Sequence, residues 1–406
     1  MTTRRAFLQT SAALALTAAS YNRVFGANEI LNVGCIGTGG RCRHLMKSLV
    51  KIPDVRIAAV CDVWDVSLAE GKKLADPKAV TTKKYKEILD NKDIHAVLVG
   101  TPDHWHVPIT VDACDAGKDV YVEKPLTHDL SEGPAVIEAQ NKNKRIVQVG
   151  TQQRSMPHIQ KAHEIFKTGR LGKITKIRTA WNRNTDRVKR FPLGVDPKSV
   201  DWKTFLGKAK DQPFDEYRFR NWRWFWDFGG GLLTDLMVHW LDVGHWFLDL
   251  DVPVRAVTVG TYPSAEGVWE TPDTIQTLLT YKLPQTTKLP APELQAHFEG
   301  TFSNARGGNF IEFMGTDATM YIDRGRYEIA PERGKGEPEK LVLGTGPKGL
   351  DFYDKPDGEL LHLTNWVECV RSRAKPTAPA EAGVSAAAAA HLGNQAFREN
   401  KVATWK

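Results

Sequence analysis

No CxxC pair occurs in this 406-residue chain, and its five cysteines, Cys35, Cys42, Cys61, Cys114 and Cys369, stand singly. An odd count without paired spacing excludes a disulfide scaffold and a cysteine-ligated zinc cluster. Cys35 and Cys61 fall inside apolar, strand-like runs, where a thiol behaves as a small hydrophobe. No apolar run approaches the ~20 residues of a membrane-spanning helix. A strong excess of one charge is also missing: the formal charge is +7, and Arg4, Arg5 and Arg23 of an acid-free leader supply three of it, leaving +4. The remaining Lys and Arg alternate with acids. Their tightest groups (Lys83, Lys84 and Lys86; Lys142, Lys144 and Arg145) read as solvated faces, so nothing marks a nucleic-acid partner. Apolar residues make up 41% and charged residues 25%, the balance of a globular protein, and the length suits two or three domains.

Residues 1–27 read as an export tag. Thr3-Arg4-Arg5-Ala6-Phe7-Leu8 precedes the short apolar run Ala12 to Ala19, in the order charge, apolar segment, small residues. The adjacent arginines before Phe-Leu resemble a twin-arginine signal, which implies a periplasmic protein exported already folded. Val24-Phe25-Gly26 before Ala27 is one candidate cleavage site and Ala18 to Ser20 another. Apart from this tag, no membrane association is expected.

Beyond the tag, short β-branched runs (30–36, 55–61, 96–100, 120–122 and 146–150) alternate with helical patterns near 41–51, 66–73, 106–116 and 131–143. This predicts, over residues 28–150, a parallel sheet covered on both faces. From 151 to 406 the pattern changes to helices at 158–168 and 232–247 and strands at 174–181, 254–261, 274–281, 294–302, 310–314 and 319–322. That predicts an α+β domain with a large, open, mainly antiparallel sheet. The stretches 284–292 and 331–349 read as loops, and Ala386 to Ala390 as part of a C-terminal helix.

Gly37, Thr38, Gly39, Gly40, Arg41 and Cys42 follow the first strand directly. In such a GxGxx turn the first glycine permits the bend, the second lets backbone N–H groups approach a pyrophosphate, and the third position need only be small, which Cys42 is. Asp62 lies 25 residues beyond Gly37 at the end of the second strand, where a carboxylate can receive an adenosine ribose diol. Its charge would repel a 2′-phosphate, so NAD is expected as the cofactor rather than NADP.

Thr101-Pro102-Asp103-His104-Trp105-His106, Gly117-Lys118, Glu123-Lys124-Pro125, and Gly229-Gly230-Gly231 followed by Asp235, His239 and Asp242 together resemble the Gfo/Idh/MocA oxidoreductase family. The leader and the aromatic insertion are similar to its exported, glucose-fructose oxidoreductase-like branch. The resemblance implies an N-terminal Rossmann fold, a doubly wound parallel sheet, with Thr101, Pro102, His106 and Glu123 beside the cofactor. It also implies subunit pairing into homodimers or homotetramers, and a cis Pro125. Lys124 stands at the C-terminal edge of a strand, where ligands of doubly wound sheets bind. In the resembled enzymes that lysine contacts the reacting hydroxyl. Asp235 and His239 are four residues apart, hence on one helix face. The resemblance makes His239 the general base and Asp235 a substrate contact; the competing reading is a core histidine beside Trp240 and a polar network at the helix start. Asp242 continues the same face as a weaker candidate. His104 and His106 form an HxH pair without clustered further ligands, so no metal is expected.

The insertion from Asn182 to Phe228 carries Arg183, Arg187, Arg190, Arg218, Arg220 and Arg223 with Trp202, Trp222, Trp224 and Trp226. Most of these side chains are expected to pack, while Arg183 and Trp222 are candidates for a carbohydrate subsite. Nicotinamide is not freely supplied outside the cytoplasm, so an exported enzyme would keep its cofactor bound and recycle it. The expected function is an NAD-dependent oxidoreductase acting on a secondary hydroxyl of a sugar, glycoside or sugar alcohol. The alternatives are a redox-neutral glycosidase or lyase working through a transient keto-sugar, and a non-catalytic sugar-binding protein.

Overall fold

A computed structural model describes residues 29–185, 188–283, 293–334, 336–343 and 357–405. The export tag, Arg187 and the stretch 284–292 lie outside the described residues. Six parallel strands, β1 (Leu31–Ile36), β2 (Val55–Cys61), β3 (Val80–Thr82), β4 (Ala96–Val99), β5 (Asp119–Val122) and β6 (Val147–Val149), form the first sheet in the order β3-β2-β1-β4-β5-β6. Every residue of β4 and β5 is buried, as a sheet with helices on both faces requires. The order reverses between β1 and β4, so a crevice opens beyond the carboxyl ends of these two strands. β3 escaped the sequence reading because it is three residues long with two of them exposed, which leaves no apolar run to see.

The second sheet comprises β7 (Ile174–Asn182), β8 (Arg255–Thr261), β9 (Thr274–Lys282), β10 (Glu293–Thr301), β11 (Asn309–Gly315), β12 (Ala318–Ile322), β13 (Arg326–Pro331), β14 (Glu339–Val342) and β15 (Ala403–Thr404). Their order is β14-β13-β12-β11-β7-β10-β9-β8-β15, antiparallel throughout except where β10 runs parallel to β7. Alternation in β10, where Leu294, Ala296 and Phe298 are buried, marks one covered face. The helix Val238–Leu248 lies on that face, with Gly244 facing Ile177 and Ile311. On the sheet's other face Val257, Val259 and Leu278 are exposed. β14 falls within 331–349, read as loop because Gly, Pro and Lys mask its short ladder to β13.

After the second sheet the chain returns to the first. The helix Gly358–Ser372 buries Leu363, Trp366, Val367 and Val370 against Leu31, Val33 and Leu45. It also delivers Glu359, buried and charged, to the edge of the phosphate-binding turn.

Candidate active site

The Gly37–Gly40 turn is built for close approach. Gly37 has φ +77°, and a Cβ there would stand 2.7 Å from the Thr101 backbone nitrogen. A Cβ at Gly39 or Gly40 would meet nothing within 4 Å, so the first N–H groups of the helix Gly40–Leu49 face open space that suits an anion. Cys42 takes the position of the third glycine, and Gly100 at the end of β4 compensates: a Cβ on Gly100 would lie 2.8 Å from Cys42 Cβ. Thr38 turns its side chain inward, donating to the Ser67 carbonyl at 2.9 Å. Its side chain is fully buried, so it positions the turn and does not itself reach a cofactor. Asp62 Oδ1 accepts from the Trp64 backbone N–H at 2.9 Å. Burial pushes the Asp62 carboxyl up to about 6 even though Trp64 N–H, Arg43 and Thr38 favour its ionised form. This set of open glycine N–H groups, helix start and acceptor at the end of β2 fits a dinucleotide with an unphosphorylated ribose.

Two connected cavities run from this turn. One of about 210 Å³ is lined by Asp62, Trp64, Pro102, Phe205, Arg220 and Trp222. The other, about 600 Å³, shares Gly40, Gly100, Thr101, Arg220, Trp222 and Arg223 with the first and continues to Lys124, Asp235 and His239. The expected cofactor and substrate residues therefore border one continuous cleft.

Lys124 follows β5 and precedes Pro125 across a cis peptide bond. Its Nζ donates to Asp235 Oδ1 at 2.8 Å and to the Asp235 carbonyl at 2.6 Å. Asp235 Oδ1 also faces Arg223 Nε at 3.2 Å. Burial alone would raise the Asp235 carboxyl; Lys124 and Arg223 overcome this and hold it well below the usual carboxylate range. The segment around Asp235 departs from the expected single α-helix. Leu233–Met237 form a π-turn that leads into Val238–Leu248, a widening often found at functional sites. Gly229 permits the close approach of Arg223, since a Cβ there would lie 2.9 Å from Arg223 Cα. His239 stands one turn beyond Asp235, its ring 5.2 Å from the Trp181 ring. Burial, then the charges of Lys124 and Arg324, lower its pKa well below the ordinary histidine value. Its imidazole is therefore neutral at neutral pH, and Nδ1 has no partner among the described residues. Trp240 points into the core instead.

Other expected residues divide between the cleft and the scaffold. Thr101, His106, Glu123, Arg183 and Trp222 line the cleft. His106 bridges two carbonyls, Nδ1 to Pro125 at 2.7 Å and Nε2 to Thr101 at 3.0 Å, which locks the two motif turns together. Arg41 borders the cleft, but its guanidinium is held by Glu123 at 3.0 Å and by Glu359. This corrects its expected role: it braces the turn as part of an ion-pair network and is not available as a simple phosphate ligand. Glu123 is likewise committed to Arg41 and to Gln152 Nε2 at 3.2 Å. Asp242 lies outside the cleft, fully buried, in a two-pronged pair with Arg154 at 2.7 and 2.9 Å. The HxH imidazoles diverge, His104 Nε2 meeting the Phe205 carbonyl at 2.8 Å, and no group of three His, Cys, Asp or Glu suited to a metal occurs among the described residues. Of the insertion's tryptophans, Trp224 stacks on Trp269 at 4.3 Å and Trp202 on Phe205 at 5.0 Å, so these pack while Trp222 faces the cleft. Two cleft residues went unread in the sequence. Gln152 follows β6, and Arg324 sits in the tight β12–β13 turn; neither belongs to a motif, and only sheet register brings them here.

Residues 31–151 match the model of an oxidoreductase family with an NAD-binding Rossmann fold, and residues 159–321 match the GFO/IDH/MocA C-terminal domain. An inositol 2-dehydrogenase of Salmonella typhimurium is 29% identical over 147 residues, 35% of this chain and 42% of the relative. A levoglucosan dehydrogenase of Pseudarthrobacter phenanthrenivorans is 26% identical over 197 residues, 47% of this chain and 50% of the relative. The aligned stretch thus spans half or less of these curated relatives. A solved levoglucosan dehydrogenase in complex with NADH and L-sorbose superposes with a TM-score of 0.71 at 16% identity, covering 93% of this chain and 99% of the other, a likeness of fold. With an NAD-binding Rossmann domain followed by the matching C-terminal domain, the chain belongs to the Gfo/Idh/MocA oxidoreductase family.

Proposed function

We propose that the protein is an NAD-dependent oxidoreductase that oxidises a secondary hydroxyl of a sugar, glycoside or sugar alcohol. The observation that carries this reading is the meeting of Lys124, Asp235 and a neutral His239 in the cleft that continues from the Gly37–Gly40 turn. The relatives named as inositol and levoglucosan dehydrogenases support the substrate class. NAD, held by the turn and Asp62, supplies the hydride acceptor. Alcohol oxidation also requires removal of the hydroxyl proton and stabilisation of developing charge on oxygen. His239, kept neutral by burial, accepts the proton. Lys124 donates to the substrate oxygen as negative charge grows there, and Asp235 with Arg223 fixes the ammonium. The closing wall of Trp64, Phe205, Arg220 and Trp222 over the dinucleotide cavity supports a cofactor retained between turnovers. The proposal further includes export by the twin-arginine route to the periplasm and self-association through the sheet face bearing Val257, Val259 and Leu278.

The test is NADH formation at 340 nm on a panel of sugars, sugar acids and cyclitols. Turnover of a panel member that Lys124→Met and His239→Ala both abolish supports the reading. Turnover that survives both substitutions at the wild-type rate overturns it. Nicotinamide content by mass spectrometry after exhaustive buffer exchange tests cofactor retention, and light scattering tests association. Cell fractionation of the full chain and of an Arg4→Lys, Arg5→Lys variant tests export.

A further inference from the structure

The substrate cleft is unusually rich in cations for a site that would hold a neutral polyol. Seven Lys or Arg side chains line it against three carboxyl groups among the described residues. Those three carboxyls are already committed. Glu123 serves Arg41, and Asp235 serves Lys124 and Arg223. Asp103 is buried, and desolvation drives its carboxyl toward the protonated form. The lining therefore offers few acceptors to a neutral sugar, whose hydroxyls must donate as well as accept.

The remaining cations converge on one wall. Arg183, just after β7, and Arg324, in the β12–β13 turn, place their guanidinium carbons 5.2 and 4.7 Å from the centre of the Trp181 ring. The same ring lies 5.2 Å from that of His239. Lys189 and Arg220 complete this side of the cleft. Arg183, Lys189 and Arg324 are held by further contacts of their own, which fixes their donors in place without removing their charge. A guanidinium only donates, and its planar fork matches a carboxylate with two parallel hydrogen bonds. In a partly enclosed cleft, such a cluster repels itself until an anion arrives.

We propose that the substrate is a carboxylated sugar, a uronic or aldonic acid, whose carboxylate is received by Arg183 and Arg324 while a ring or chain hydroxyl reaches Lys124 and His239. This deepens the dehydrogenase reading above and rests on it for the chemistry, though not for the binding. The reacting carbon loses hydride to NAD and its hydroxyl loses a proton to His239, leaving a keto acid with the carboxylate untouched.

The experiment compares matched pairs with the full-length protein: D-glucuronate and D-gluconate against D-glucose, and D-galacturonate against D-galactose, with glucose 6-phosphate as a second kind of anion. The expected result is a kcat/KM at least tenfold higher for an acid than for its neutral partner. That ratio falls at least tenfold in Arg324→Met and is partly restored in Arg324→Lys. Equal turnover of acid and neutral partner overturns the proposal, as does a ratio that Arg324→Met leaves unmoved or a preference confined to glucose 6-phosphate. Calorimetric titration of the NAD-loaded protein with the same compounds separates the two levels. Tight binding of an acid without turnover of any compound defeats the dehydrogenase reading but upholds the carboxylate site. Binding of neutral sugars as tight as that of the acids overturns the site itself.

Discussion

Lys124 donates to both the carboxylate and the main-chain carbonyl of Asp235, at 2.8 and 2.6 Å, so its ammonium is anchored twice to one residue. Two anchors leave the third N–H of the ammonium to point into the cleft. Removal of the side chain in Lys124→Met is expected to lower kcat by about 10²–10³-fold, the usual loss for one donor to a developing oxyanion. Asp235→Asn keeps the shape but removes the charge, and is expected to cost less than Lys124→Met because the carbonyl contact remains. Steady-state kinetics on any turned-over sugar checks the order, and equal losses would contradict it.

Asp62 predicts a pH dependence of cofactor affinity. Burial raises its carboxyl to about 6, and only the ionised form accepts both hydroxyls of a ribose. NAD binding therefore favours the deprotonated state and releases a proton, so affinity is constant above about pH 7 and weakens as pH falls through 6. Below that point the expected slope is up to tenfold in Kd per pH unit. Titration of cofactor-free protein between pH 5 and 8 measures it, and Asp62→Asn should flatten the curve.

Gly100 and Cys42 predict a compensating pair. The Cβ added in Gly100→Ala would collide with Cys42 Cβ at 2.8 Å and press the helix Gly40–Leu49 away from β4. NAD affinity should fall at least tenfold because the turn that receives the pyrophosphate moves with that helix. Cys42→Gly restores the missing third glycine and should recover much of the loss in the double variant. Isothermal titration of the three variants provides the cycle.

The parts legible in the sequence were those that one segment encodes by itself. The GxGxx turn, Asp62 at a strand end and the Glu-Lys-Pro turn each carry their geometry locally. The cleft neighbours of Lys124 and His239 are legible only in part, because Asp235 and His239 share a helix whereas Arg324 and Gln152 arrive through sheet register. Thr38 and Arg41 illustrate the opposite failure. Both occupy motif positions, yet the partners that turn them from a cofactor are a carbonyl on the following helix and Glu359, more than 300 residues away in sequence. The helix Gly358–Ser372 could not be assigned to the first sheet from its pattern, since amphipathic spacing identifies a buried face without naming what buries it.

Asp242 supplies the last prediction. It lies on the helix that carries His239, and its position invites a catalytic reading, but its two oxygens are taken by Arg154 at 2.7 and 2.9 Å with both groups buried. Removing one member of a buried pair strands the other charge, at a cost of about 3–5 kcal/mol, whereas replacing both with apolar groups is often tolerated. Asp242→Ala should therefore lower the thermal midpoint by several degrees, and Arg154→Met combined with Asp242→Leu should lower it less than either single change. Because Asp242 does not line the cleft, the folded fraction of Asp242→Ala should retain KM within about threefold, a small uniform change expected of a scaffold residue. A large rise in KM at unchanged stability would instead place Asp242 among the substrate contacts.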